Sequence, residues 1–213
     1  MKRKTNNKRQ FDILVFCILA VFTVLIVFNI SEKTIAPHYS DRPLISQIED
    51  TIRMIRDSNE HFTEGCQLSD IFVNNTDNMS VRLTSIIDKP KLIYRFSNLS
   101  CRICVENDLR ILKALADSIG IDKIVVIAKF SNVRDLKIYK ENEELSYQCY
   151  NYKDELNIAV EKKAINYSPY FIILDHKLIV NFACTSSPQS SINDPFFKRI
   201  KMFYRQLEEK AVK

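Results

Sequence analysis

Cys101 and Cys104 stand two residues apart in "FSNLSCRICVENDLRILKAL", Phe96 to Leu115, where an apolar run gives way to a helical repeat. That spacing admits three chemistries: electron exchange through a reversible disulfide, half of a metal site, or a permanently closed bridge. Exchange needs a thiolate, and a cysteine with a pKa of about 8.5 is mostly protonated at neutral pH unless its anion is stabilised. A helix start stabilises it through unpaired amides and the macrodipole, and Arg102 beside Cys101 adds positive charge. Glu106 and Asp108 pull the other way, because negative side chains in the same first turns compete for those amides and repel the sulfur anion. The expected balance is a lowered pKa for Cys101. A metal site wants a second ligand pair, yet Cys66, Cys149, Cys184 and the three histidines are scattered singly, so no metal is expected. The closed bridge stays open as an alternative.

The elements that must hold this pair are legible around it. "KLIYRFS", Lys91 to Ser97, is rich in aromatic and branched residues and suits a buried strand. After the cysteines, Val105, Leu109, Leu112, Ala116 and Ile119 fall on one helical face, and Gly120 sits where a left-handed cap is wanted. "KIVVIA", Lys123 to Ala128, is a continuous apolar run and therefore a parallel-type core strand, which makes a right-handed βαβ unit. Ahead of it, "IFV" and "VRL" flank the turn-rich "NNTDNMS" as a β-hairpin. Behind it come a helix opened by Ser131 or Asn132, a strand near Tyr147 to Tyr150 and a short helix after Lys153. Two strands then meet across "DHK", with Pro169 at the entrance of the first, and a helix follows from Pro195.

Composition narrows the function class. Gly65 and Gly120 are the sole glycines in 213 residues, so neither a dinucleotide fingerprint nor a P-loop has the residues for its turn. The formal net charge of +5 sits at the front: Lys2, Arg3, Lys4, Lys8 and Arg9, offset by Asp12, leave about +1 beyond Ile30 and no basic face for nucleic acid. Directly after that basic stretch, Phe11 to Ile30 is apolar and reaches roughly 30 Å as a helix, the thickness of a bilayer core. Positive charge before the span puts the N-terminus in the cytoplasm and the body outside, in an oxidising space where paired cysteines form disulfides. The expected organisation is a basic cytoplasmic tail over 1–10, a transmembrane anchor over 11–30, an amphipathic helix with Leu44, Ile48, Ile52 and Ile55 plus linker over 31–64, and one α/β domain over 65–213. The expected location is the cytoplasmic (inner) membrane, single-pass, with the C-terminal domain facing the periplasm or exterior.

The order hairpin, βαβα, proline-led hairpin, α, with CxxC at the first crossover, resembles the thioredoxin fold: a central mixed sheet flanked by helices, here with an N-terminal β-hairpin extension. More narrowly it is similar to the membrane-tethered TlpA-like members of the thioredoxin-like superfamily, related to the AhpC/TSA group, over about Cys66 to Leu207. The resemblance implies that Cys101 attacks, Cys104 resolves, Pro169 is a cis-proline beside them, and Ser168 offers backbone contacts to a bound substrate strand. It also implies no cofactor, protein thiol or disulfide substrates, and a redox partner outside the cytoplasm. The chain departs from the pattern at three places. Ser100 stands where an aromatic often precedes the first cysteine, and Arg102-Ile103 replace the familiar Gly-Pro. Arg95 occupies the place of the buried acid that in thioredoxin helps move the resolving proton, so Arg95 joins Arg102 as a candidate for tuning the cysteine pKa. The expected function is a membrane-anchored thiol-disulfide oxidoreductase. The alternative is a redox-inactive binding or scaffold module with a structural CxxC disulfide. A peroxidase is a minor third reading, because Tyr94 and Asn98 fill the places where a peroxidatic motif has proline and Thr or Ser.

Overall fold

The computed structural model describes residues 60–162 and 167–211, with Asp50, Thr51, Met54, Asp57 and Ser58 ahead of them. The expected basic tail and membrane anchor, and most of the amphipathic helix, lie outside the described residues. Among the described residues no helix is long and apolar enough to cross a membrane.

In chain order the elements are β1 (Phe72–Asn75), β2 (Ser80–Arg82), α1 (Leu83–Ile86), β3 (Lys91–Ser97), α2 (Arg102–Ile119), β4 (Ile124–Lys129), α3 (Val133–Asn142), β5 (Gln148–Asn151), α4 (Ala159–Lys162), β6 (Tyr170–Leu174), β7 (Val180–Thr185) and α5 (Pro195–Ala211). They build one sheet of order β2-β1-β5-β4-β3-β6-β7. β3 pairs parallel with β4, Leu92 opposite Ile124, and antiparallel with β6, Leu92 opposite Ile173. β5 continues the parallel set beyond β4, and the β1–β2 hairpin attaches antiparallel to β5 through Asn74 and Asn75. A helix crossing between two parallel strands, followed by an antiparallel pair and a closing helix, is the thioredoxin-like arrangement, here with the extra hairpin at the far edge.

Alternation along the strands divides the core in two. Leu92, Tyr94, Phe96, Val126 and Phe171 join Leu112 and Leu115 of α2 and Phe197 and Ile200 of α5 on one face. Ile93, Val125, Ile127 and Ile172 meet Leu83 and Ile86 of α1, Leu156 and Val160 on the other. With both faces covered, the continuous apolar run of β4 is explained: water reaches neither side.

The buried stripe of α2 is Cys104, Val105, Asp108, Ile111, Leu112, Leu115 and Ile119. Leu109 and Ala116, expected inside, are only partly buried against the core. The stripe therefore lies rotated from the purely apolar one, and it takes in a carboxylic acid. Asn132 caps α3, its side chain accepting from the Asp135 amide, as one of the two expected openers. Gly120 has φ 94° and ψ 136°, so the positive φ holds, but the backbone runs extended instead of forming the expected left-handed helical cap. An added Cβ there would lie 2.8 Å from Asp122 Oδ1. Leu112 is fully buried between the sheet and α5, so Leu112→Ala is expected to destabilise the fold by about 2–5 kcal/mol in chemical denaturation.

Candidate active site

The site sits where β3 ends and α2 begins. A turn of serines makes the connection without glycine. The Ser97 amide donates to Ser100 Oγ at 2.9 Å, the Leu99 amide to Ser97 Oγ at 3.1 Å, and the Ser100 amide to the Ser97 carbonyl at 3.0 Å. Short hydroxyl side chains serve turns in this way because they offer the backbone a local partner. The turn delivers Cys101 to the N-cap of α2, and its Sγ accepts from the Cys104 amide at 3.3 Å.

Cys101 and Cys104 are joined as a disulfide, with their Cα atoms 5.2 Å apart. Their surroundings differ sharply. Cys101 is exposed, whereas Cys104 is 5% exposed and belongs to the buried stripe. An exposed cysteine held at a helix N-cap is positioned both to meet a partner and to carry negative charge on an amide donor. A buried sulfur one turn along can be reached through Cys101 and hardly otherwise.

The charges that looked opposed to a thiolate are arranged otherwise than expected. Arg102 pairs with Glu106, Nε to Oε1 at 2.7 Å, and its side chain is 90% exposed. Glu106 raises the Arg102 pKa, and the pair is a solvated surface contact whose two charges offset one another. Asp108 does not lie on the solvent side of α2 at all. Its side chain is fully buried, Oδ2 accepting from Tyr94 Oη at 2.9 Å and Oδ1 from Ser186 Oγ at 2.6 Å. Burial pushes its pKa up to about 7, and the hydrogen bonds from Ser186 and Tyr94 hold it from rising further. The reading of Asp108 as an anion repelling Cys101 is corrected by this burial. A lone acid within an otherwise apolar repeat on α2 was the available signal, and its i, i+4 relation to Cys104 was visible.

Arg95 lies on the opposite face of the sheet from Tyr94. Its guanidinium is 2% exposed, pairs with Glu161 at 3.1 Å, and donates to the Tyr152 and Asp154 carbonyls at 3.0 and 2.7 Å. Each of its three nitrogens is hydrogen-bonded on that side of the sheet, away from the face that buries Cys104 with Tyr94.

The segment carrying Ser168 and Pro169 comes beside the serine turn, since Ser100 Oγ donates to the Tyr167 carbonyl at 2.6 Å. The Pro169 carbonyl accepts from the Ser186 amide at 2.8 Å, extending the β6–β7 ladder by one step. The expectation of a cis-proline is overturned, because no described peptide bond is cis. Two residues before it, Tyr167 has a positive φ of 54°. A cleft of about 320 Å³ opens next to Ser168, lined also by Ser97, Lys129, Glu161 and Tyr167.

Of the remaining thiols, burial makes Cys149 a poor nucleophile. Cys149 is buried, which raises its pKa to about 11, and Cys66 donates to the Phe62 carbonyl at 3.1 Å. Among the described residues no three His, Cys, Asp or Glu side chains converge as a metal ion would need.

No protein family and no curated protein sequence matches the chain. Among solved structures it is similar to the thioredoxin domain of a thiol-disulfide oxidoreductase from Bacteroides vulgatus, at 17% identity over 66% of this chain and 97% of that one, TM-score 0.49. A peroxidoxin from Mycobacterium tuberculosis is similar at 13% identity over 68% and 98%, TM-score 0.48. A thiol:disulfide interchange protein from a Bacteroides species is similar at 18% identity over 56% and 80%, TM-score 0.45. Identities this low concern the fold alone, and the fold assignment stands on the strand order and crossover described above.

A carboxyl whose pKa is about 7 when folded, against an ordinary 3.8, binds more protons in the folded chain throughout that interval. The contribution of Asp108 to stability is therefore present at low pH and lost as pH rises through the window from about 4 to 7. Relative to Asp108→Asn, the wild type is expected to lose stability steadily across that range in denaturant titrations. An unchanged difference between the two at pH 4 and pH 7 would contradict the assignment.

Proposed function

We propose that this thioredoxin-fold domain is a thiol-disulfide oxidoreductase that acts on protein disulfides through Cys101 and Cys104. A membrane span over residues 11–30 holds it on the outer side of the cytoplasmic membrane. The observation that carries the reading is the asymmetry of the pair: an exposed cysteine whose sulfur receives an amide at a helix N-cap, bonded to a second cysteine that is 5% exposed.

In the reducing direction the Cys101 thiolate attacks one sulfur of the substrate disulfide, and the other leaves as a thiolate that takes a proton from solvent. Cys104, once deprotonated, attacks Cys101 Sγ, which closes the internal disulfide and releases the second substrate thiolate. Two electrons have passed from the cysteine pair to the substrate, and oxidation of a dithiol runs through the same steps in reverse. A redox partner outside the cytoplasm restores the starting state.

Polypeptide substrates are favoured by the surface around Cys101. Leu99, Ile103 and Tyr167 are 63%, 67% and 54% exposed, so apolar side chains stand on both sides of the reactive sulfur in sequence and on the neighbouring segment tied to Ser100. A mixed disulfide must lay a substrate chain over these groups, and their burial would favour that chain over a small polar disulfide. Ser168 and Pro169 are the proposed backbone contacts for it. Arg102, although paired with Glu106, remains the nearest cation in sequence to the Cys101 sulfur, and Arg95 would act on the pair only through the sheet. The anchor is supported by the basic stretch before residue 11 and the apolar length after it.

Alkylation with a mass tag across a glutathione redox series is expected to reveal Cys101 and Cys104 titrating as one reversible two-electron couple. Cys104→Ser is expected to accumulate mixed disulfides with protein partners, and Cys101→Ser is not. A pair that reopens only on denaturation, or equal trapping by both variants, would transfer the assignment to a structural bridge. The full chain is expected to fractionate with membranes and resist high-salt extraction, whereas a chain beginning at Ser31 should be released; extraction of both by salt alone would remove the anchor.

A further inference from the structure

The Arg95 side of the sheet carries a second polar centre that the exchange of sulfur bonds leaves unused. Arg95 on β3 stands directly opposite Tyr170 on β6, and both line the cleft of about 320 Å³ beside Ser168. Tyr170 is 2% exposed, and its hydroxyl is buried with no hydrogen-bond partner. An unsatisfied buried hydroxyl is costly, so this one gains from any acceptor that enters the cleft. Burial, with the Glu161 charge adding to it, holds the phenol protonated well above its ordinary range, which fixes it as a donor. Arg95 adds to the donor excess. Among the described residues its Nε, Nη1 and Nη2 each make one hydrogen bond, so three of the five N–H groups of a guanidinium are engaged. Glu161, by contrast, already accepts on both oxygens, from Arg95 Nε and from the Leu156 amide. Arg95 and Glu161 offset one another in charge, and the cations Lys129 and Lys162 outnumber Glu155 among the remaining lining groups. A floor of donors under a net positive rim suits a carboxylate.

We propose that this cleft is a specificity subsite for an acidic side chain of the substrate polypeptide, the Tyr170 hydroxyl donating to its carboxylate and Lys129 supplying opposite charge. The inference rests on the thiol-disulfide reading above and adds which polypeptides are chosen. The mouth of the cleft is shared with the reactive pair's surroundings, because Ser97, Tyr167 and Ser168 all line it. Ser97 belongs to the turn that delivers Cys101, and Ser100 Oγ of the same turn donates to the Tyr167 carbonyl at 2.6 Å. A chain held along Ser168 while its cysteine is bonded to Cys101 therefore passes the opening. An extended chain advances about 3.3 Å per residue, so the acid belongs within about four residues of the substrate cysteine. A basic side chain at the same place meets the Lys129 and Lys162 charges and finds the Glu161 oxygens already engaged. The exposed apolar groups Leu99, Ile103 and Tyr167 favour polypeptides in general, and the cleft selects among them.

The test uses the reduced full chain in detergent and synthetic peptides with a single cysteine, each joined through a disulfide to 2-nitro-5-thiobenzoate. Cys101 thiolate attacks the peptide sulfur, the bond between peptide and aryl sulfur breaks, and the coloured aryl thiolate leaves. Cys104 then displaces the peptide thiolate from Cys101, so the cysteine pair is oxidised and the probe disulfide reduced. Glu, Gln or Lys is placed at each of the positions up to about four residues on either side of the peptide cysteine. Second-order rates are compared well below saturation, with Cys101→Ser as the blank. At one or more positions the Glu peptide is expected to react about 10-fold faster than the Gln peptide, and the Lys peptide slower than both. Tyr170→Phe removes only the unpartnered hydroxyl, and the ratio of Glu to Gln rates is expected to fall below about threefold there. Lys129→Gln is expected to lower the same ratio, and it carries the test should Tyr170→Phe fail to fold. Glu and Gln rates that agree within about twofold at every position overturn the proposal, as does a wild-type ratio retained in a folded Tyr170→Phe or in Lys129→Gln. Absence of aryl thiolate release from every peptide in wild type would instead overturn the thiol-disulfide reading.

Discussion

Strand β3 is buried along all seven residues although Lys91, Tyr94, Arg95 and Ser97 carry polar atoms into the interior. A buried donor without a partner costs of the order of 1–3 kcal/mol, and more when charged, so each of these side chains dictates something about its surroundings. Lys91 draws the Asp122 carbonyl and the Asp88 carboxylate to the start of the strand. Tyr94 finds Asp108 on α2. Arg95 collects Glu161 from α4 together with the Tyr152 and Asp154 carbonyls. Ser97 closes the turn that leads to Cys101. Alternation sends Tyr94 and Arg95 to opposite faces, so one strand organises two polar centres separated by the thickness of the sheet.

The cysteine pair inherits its asymmetry from this arrangement. The serine turn ends β3 close to the surface, which leaves Cys101 outside, and the pitch of α2 carries Cys104 inward within one turn. Tyr94 of β3 and Ser186 beyond β7 both donate to Asp108 of α2, and Ser186 also joins the Pro169 segment, so separate parts of the chain meet around a single carboxyl. Such a network confers orientation more than stability, because a buried acid titrating near neutrality weakens the fold whenever it ionises.

Arg95 illustrates how position in sequence and position in space part company. Six residues before Cys101 it looks like a neighbour of the sulfur, yet its ring of partners lies under α4. The acid that faces the helix side of the sheet comes from α2 itself. Pro169 is a similar case: it leads into β6 as expected, but through a trans bond where a cis one was implied.

Much of this protein was determined by the sequence alone. Period-2 and period-3.6 patterns located β3, β4, α2, α3 and α5, because continuous apolar runs and amphipathic stripes reflect local geometry that every fold of such a chain must obey. The CxxC at a strand-to-helix junction located the candidate sulfurs for the same reason, since an N-cap is a local feature. Only the tertiary structure decided which polar residues turn inward. Asp108 reads as a solvent residue until Tyr94 and Ser186, 14 and 78 positions away, arrive to hydrogen-bond it, and Arg95 reads as a neighbour of Cys101 until Glu161 claims it from across the sheet. Burial of a polar group depends on partners that are distant along the chain, and no local periodicity encodes their approach.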